Sequence, residues 1–383
     1  MKNLRSVAYA LLPLAAALMI GCSGKKDGTA KAADSTRQQP AWALGPFTKQ
    51  DAVNPVLTPL DTTVFLCPVR GDTVRWEAKD VFNPAAVVRE GKIYLLYRAE
   101  DTVGKHAGTS RLGLAESRDG LHFTRQPEPV FYPAPDAMQR YEWEGGCEDP
   151  RVVETPDGRY VLTYTAYDGK TARLCVATSP DLRTWQKHGL AFQEAGGGKY
   201  KDLWSKSGAI LCRRRGDRVV AAAVNGTYWM YWGDTHIYAA TSPDLIHWTP
   251  VTDAAGGLSP VFGPRPGHFD SRLVEPGPFA LLEKDGIVLI YNSMNLEENQ
   301  AGYYAALPAG TYTAGQVLLD GQHPARVLDR TGTYFMKPDK PYELTGQVNH
   351  VVFLEGLAHR ENRWFLYYGT ADSKIAVAVT EGK

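Results

Sequence analysis

Apolar and polar residues alternate along most of this chain in runs too short for ordinary helices. KIYLLYRAED at Lys92, RYVLTYTAYDG at Arg159, RVVAAAVNG at Arg218, IVLIYNSMN at Ile287 and RWFLYYGTAD at Arg363 each read as a strand ending in polar groups. Their equivalent centres are Tyr97, Tyr164, Ala223, Tyr291 and Tyr368. Most follow a turn-forming pair such as Glu90-Gly91, Asp157-Gly158 or Asp285-Gly286, and the runs between turns are rich in Val, Ile, Tyr and Trp, as strands require. No comparable stretch keeps a helical period.

A second pattern sets the scale of the repeat. ESRDGLHF, TSPDLRTW and TSPDLIHW place Ser117, Ser179 and Ser242 at steps of 62 and 63 residues, too long for a helical solenoid and suited to one multi-stranded sheet per repeat. Five strand cores therefore predict an all-β, five-bladed β-propeller, in which the first strand of every blade faces one central funnel. The Ser-x-Asp pieces predict tight turns in which the Asp side chain bonds the backbone ahead, with Phe123, Trp185 and Trp248 packing between blades.

Composition narrows the partners. Lys plus Arg equals Asp plus Glu at 42 each, so nothing favours nucleic acid or an anionic surface. The first residues read as an address: two cations by Arg5, an apolar run from Val7 to Ile20, then Gly21 and Cys22. This resembles a bacterial lipoprotein signal, with Met19 where Leu is usual, and an ordinary secretory signal is the alternative. It implies a signal over residues 1–21, a polar tether over 22–41 held by lipid on Cys22, and a catalytic propeller over 42–383 in the cell envelope, with the membrane touched only through that anchor. Cys67, Cys147, Cys175 and Cys212 lack the close paired spacing of a zinc site, and no motif implies a metal or organic cofactor.

Walking back from each apolar centre to the head of its blade gives FNPAA with Asn83, GCEDPRV with Asp149, WSKSGAI with Lys206, VEPGP with Glu275 and VNHVVF with His350. Stability needs no polar group there, and burying one costs several kcal/mol unless it is bonded or neutralised. A functional site is the simpler account. Asp234 in MYWGDTHIY, with Trp204, Tyr228, Trp229, Tyr231 and Trp232, adds acids among aromatic rings, although blade packing accounts for part of the aromatic set. Two acids on opposite sides of a bound sugar suffice for hydrolysis.

Motifs from NPVLTP at Asn54 to YYGTADSKIAVA carry a resemblance to glycoside hydrolase family 130, the mannoside phosphorylases and β-mannosidases. The most specific are VFNPAAVV, YLLYRAED, RLGLAESRDG, GCEDPRV followed by YTAYDG, DSRLVEPGP and YYGTADSKI. The resemblance implies a propeller acting on β-mannosides, with Asp149 as general acid protonating the glycosidic oxygen through the mannose 3-hydroxyl. It also implies that Asn83, Arg98, Arg111 and Asp372 hold the mannose at the −1 subsite. Inter-blade ion pairs are the alternative for Arg98, Arg111 and Asp372.

The departures matter as much. Where phosphorylases of this family carry a basic set for phosphate, this chain reads LWSKSGA, AAVNGT and DSRLVEPGP, so Lys206 remains while Trp204 and Leu273 replace cations and Glu275 enters. One lysine facing a carboxylate binds a phosphate dianion poorly. Glu275 instead suits a general base that activates water, with Asp234 as its partner, similar to the family's hydrolytic β-1,2-mannosidases. The expectation is an inverting, exo-acting β-mannosidase. A phosphorylase yielding mannose 1-phosphate, a furanosidase and a non-catalytic glycan-binding lipoprotein are the alternatives.

Overall fold

The computed structural model describes residues 39–106 and 108–381, so the signal, Cys22 and nearly all of the tether lie outside the described residues. Antiparallel strand groups follow one another along the chain. Asp80–Arg89, Lys92–Glu100 and Ser110–Ser117 form one, and Gly146–Glu154, Tyr160–Tyr167 and Ala172–Ser179 the next. Leu273–Pro276, Gly286–Met294 and Tyr312–Leu319 form another, and Val352–Arg360, Arg363–Thr370 and Lys374–Glu381 the last. Thr48–Lys49 pairs with the strand Lys374–Glu381, so an early segment completes the final sheet and ties the two ends of the ring together. The leading strands gather at the centre, Asp80–Arg89 packing against both Gly146–Glu154 and Val352–Arg360. The result is an all-β fold of the propeller type.

Four of the five expected strand cores form, with Tyr97, Tyr164, Tyr291 and Tyr368 wholly buried. The third differs. Ala209–Arg215 pairs at its start with Thr227–Trp232, through Ala209 with Tyr231, and only later with Arg218–Ala221, through Cys212 with Ala221. Ala223 is exposed in a short hairpin turning at Asn225 and Gly226, both with positive φ, so Tyr231 and not Ala223 is the buried centre. An Asn-Gly turn is a strong hairpin signal, and here it splits one strand into two.

The three Ser-x-Asp repeats form the same turn. In each the serine Oγ accepts two backbone N–H groups and the aspartate Oδ1 accepts two more, as in Ser179 with Asp181 and Leu182, and Asp181 with Arg183 and Thr184. Trp185 and Trp248 close their turns by donating Nε1–H to the carbonyls of Leu182 and Leu245, both at 3.1 Å.

Behind the central strands, buried tyrosines meet buried acids. Tyr97 donates to Glu77 at 2.9 Å, Tyr164 to Glu142 at 2.8 Å, Tyr291 to Asp270 at 2.9 Å and Tyr368 to Glu343 at 2.9 Å. Each acid also holds a cation: Arg125, Lys187, Arg330 and Lys49 respectively. The Lys49 clasp anchors the strand that joins the ends of the ring.

Candidate active site

Two bulges build the acid end of the site. Pairing steps from Phe82 with Arg98 directly to Pro84 with Tyr97, leaving Asn83 unpaired at φ 47°, and from Glu148 with Thr165 to Arg151 with Thr163, leaving Asp149 at φ 47°. An extra residue in one strand re-aims its side chain, and the proline after each has no N–H to leave unsatisfied where the register shifts. Gly369, from YYGTAD, makes room: a Cβ there would sit 2.4 Å from Asn83 Oδ1.

The freed side chains converge. Asp149 Oδ1 accepts from Asn83 Nδ2 at 2.9 Å and from Arg98 Nη1 at 3.0 Å, and its Oδ2 lies 3.3 Å from Lys206 Nζ. Lys206 and Arg98, with help from Asn83, outweigh burial and hold Asp149 well below the usual carboxylate range. Its neighbour Glu148 moves the other way, pushed up to about 7 by burial. Of the two neighbours, Glu148 is therefore the one whose environment favours the protonated form.

Glu275 is buried on the short strand Leu273–Pro276 and accepts from the Ser207 hydroxyl. Burial raises it above the ordinary glutamate range, against the pull of Lys206 and Arg151 and with the repulsion of Asp234 adding. Lys206, bonded to Asp149, is also attracted by Glu275, so the sequence-predicted acid, base and lysine come together. Asp234 is half-buried and accepts from Trp204 Nε1 at 2.6 Å. Asp372, at φ 49° and still open to solvent in part, is raised to about 7 by burial, with Asp149 and Glu100 opposing its charge and Arg98 and Lys206 favouring it.

Two predicted binders, Arg98 and Arg111, are engaged by the protein itself. Arg98 uses its fork on protein acids, Glu100 at 2.7 Å and Glu148 at 3.1 Å besides Asp149, with Nε on Ser110 at 2.9 Å. Arg111 is 0% exposed, bonded to Asp101 at 2.6 Å and the Thr109 carbonyl at 3.1 Å, which is the interior ion pair and leaves no guanidinium face for a sugar in this state. His350 is half-buried at φ 60°, and its carbonyl accepts from the Tyr312 N–H at 3.0 Å.

Sequence reasoning missed Glu355. It is the extra residue of a third bulge, between Leu354 and Gly356, wholly enclosed, with Arg151 Nη2 3.2 Å from Oε1 and, among the described residues, no hydrogen bond to either oxygen. Burial pushes its carboxyl well up, and both Asp149 and Glu275 add to that push. Arg151 also donates to the carbonyls of Asp149 at 3.2 Å, Pro276 at 2.7 Å and Gly277 at 2.7 Å, tying the acid's bulge to the segment after Glu275. Within VVFLEGLAH nothing marked this glutamate apart from an ordinary outward-facing residue. Ser207 and Tyr312 were likewise unmarked.

Carboxylates converge within hydrogen-bonding distance of Asn83, Arg98 and Lys206 on a propeller-type fold, an arrangement able to give and take protons around a bound ligand. Residues 55–383 match the glycoside hydrolase family 130 model, described as beta-1,4-mannooligosaccharide phosphorylase, and the chain belongs to that family of mannoside-acting enzymes. It is similar to a 1,2-beta-oligomannan phosphorylase of Thermoanaerobacter sp. (strain X514), 32% identical over 316 residues that span 80% of this chain and 92% of the relative. Among solved structures, a glycosyl hydrolase from Bacteroides ovatus is 47% identical with a TM-score of 0.86, covering 90% of this chain and 96% of its own. Another, 46% identical with a TM-score of 0.87 over 90% of this chain and 96% of its own, comes with the description that the GH130 family of mannoside phosphorylases contains glycoside hydrolases that target beta-1,2 mannosidic linkages in Candida mannan.

Proposed function

We propose that this protein is an inverting, exo-acting β-mannosidase on a five-bladed propeller, releasing mannose from the non-reducing end of β-1,2-linked mannosides. The observation that carries the reading is Glu275, buried beside Lys206 and Ser207 in the funnel that also holds Asp149. Lys206 is already drawn to both Asp149 and Glu275, and Arg98 to Asp149, Glu148 and Glu100, so these cations offer little to a phosphate dianion, whereas a neutral sugar and water need no such charge.

Glu275, raised by burial, is the base that takes a proton from water as its oxygen attacks the anomeric carbon. Asp149 supplies the proton to the leaving oxygen, by way of the mannose 3-hydroxyl, and the sugar departs with inverted configuration. A sugar whose hydroxyls take over Asn83 and Arg98 loosens their hold on Asp149 and raises its pKa toward that of a proton donor. Asp372, His350 and the freed Arg98 then hold the −1 mannose.

The names of the curated relatives and the retained Lys206 favour a second reading, phosphorolysis. Incubating the protein with β-1,2- and β-1,4-mannobiose, with and without phosphate, separates the two. The expected product is free mannose from the β-1,2 disaccharide, independent of phosphate, with activity reduced about 10²- to 10⁴-fold in Glu275→Gln and Asp149→Asn. Mannose 1-phosphate formed only with phosphate overturns the reading.

A further inference from the structure

Four consecutive residues, Trp204 to Ser207, reach three acids of the site. Trp204 donates to Asp234 Oδ2, Lys206 pairs with Asp149 Oδ2, and the Ser207 hydroxyl donates to Glu275 Oε1. The turn that carries Asp234 is clipped by backbone on both sides. Gly233 N–H donates to the Lys206 carbonyl at 2.9 Å, and Val274 N–H, from the strand of Glu275, donates to the Thr235 carbonyl at 3.2 Å. Gly233 takes φ 121°, and a Cβ there would lie 2.1 Å from the His236 carbonyl oxygen, so this tight turn requires glycine. With the backbone fixed, the freedom left to Asp234 is that of its side chain, and the 2.6 Å bond from the indole restrains it. Apolar burial does not explain the indole's position, because Trp204 is 48% exposed.

We propose that Trp204 is a positioning residue whose indole N–H holds the Asp234 carboxylate on the Glu275 side of the funnel, where it orients the attacking water. The inference rests on the hydrolytic reading above. Without the indole donor, a half-buried carboxylate turns to solvent, where water satisfies it fully. Glu275 faces Lys206, Arg151 and Asp234, with Glu355 and Tyr312 also within its field, and of these Asp234 raises its pKa by like charge while Lys206 and Arg151 lower it. Moving Asp234 away therefore lowers the pKa of the base.

Steady-state kinetics on β-1,2-mannobiose, read as free mannose across pH, test this with Trp204→Phe, Asp234→Asn and the double variant. Phe keeps a ring at the exposed site and removes the donor. The expected result for Trp204→Phe is a kcat about tenfold lower, the size of one hydrogen bond to a charged group, with KM within about twofold. The acidic limb of kcat/KM moves to lower pH, and the double variant loses no more than Asp234→Asn alone. A fall confined to KM overturns the inference in favour of a sugar-stacking platform, and losses that multiply in the double variant overturn it as well. Failure of the unsubstituted protein to release free mannose strikes the hydrolytic reading. An active enzyme in which Trp204→Phe changes nothing strikes this inference alone.

Discussion

Two groups of carboxylates are buried in this propeller, and they are held in opposite ways. Behind the central strands, Glu77, Glu142, Asp270 and Glu343 each meet a tyrosine hydroxyl and at least one cation. Around Asp149 and Glu275, Arg98 is shared among Glu100, Glu148 and Asp149, Lys206 is drawn to both Asp149 and Glu275, and Glu355 has no hydrogen bond among the described residues. A buried charge without its own partner raises the free energy of the fold unless it takes up a proton, and Glu148, Glu275, Glu355 and Asp372 are all shifted that way; of the clasped acids, Glu142 is also pushed up by burial, with Lys187 and Tyr164 opposing the shift. Saturated pairing marks structure, whereas pairing left short marks a surface prepared for a ligand.

The same chemical change should therefore act oppositely in the two regions. Glu77→Gln takes the buried carboxylate away from Arg125, so a loss of about 3–5 kcal/mol is expected in denaturant unfolding. Glu275→Gln, by contrast, removes a charge the funnel disfavours and should leave Tm equal or higher while activity collapses. Equal destabilisation by both substitutions would erase the distinction.

A smaller effect follows from pH. The folded-state pKa values of Glu148 and Asp372, each about 7, lie above the ordinary 4.5 and 3.8. Below those ordinary values both groups are protonated folded or unfolded, and their contribution to stability is fully present. It is lost as pH rises toward and through about 7, where the native state must give up protons. Thermal melts should thus show Asp372→Asn raising Tm at pH 8 relative to the parent and changing it little near pH 4. Asp149 is shifted down, and its contribution, lost only as pH falls below the ordinary 3.8, does not enter this window. A gain in Tm that is the same at both pH values would assign the effect to packing.

Smallest of the three, Tyr97→Phe removes one hydroxyl from Glu77, which keeps Arg125 and Thr63. The expected cost is about 1 kcal/mol by denaturant unfolding, with activity unchanged. Lost activity at normal stability would mean that the clasps reach the chemistry.

Much of this was legible beforehand. Strand cores around Tyr97, Tyr164, Tyr291 and Tyr368 announced themselves because alternation reports which face is buried, and the Ser-x-Asp turns because their bonds span only a few residues. The site heads Asn83, Asp149, Lys206 and Glu275 stood out as polar groups where stability asks for none. Ala223 was misleading because an apolar run says nothing about which strand it pairs with, and the Asn225-Gly226 hairpin diverted it. Arg111 matched a motif, yet its guanidinium closes on Asp101, a choice set by a residue ten positions away and by the burial around both.

What the chain determines by itself is local: the period of each strand, the chemistry of each turn, and the residue types offered at each strand head. Which acid keeps its proton, and which cation belongs to which acid, was decided only by tertiary structure. A pKa depends on charges within a few ångströms whatever their separation in sequence, and here side chains at three strand bulges meet partners from other strands, Asn83 with Asp149 at 2.9 Å and Glu355 with Arg151 at 3.2 Å.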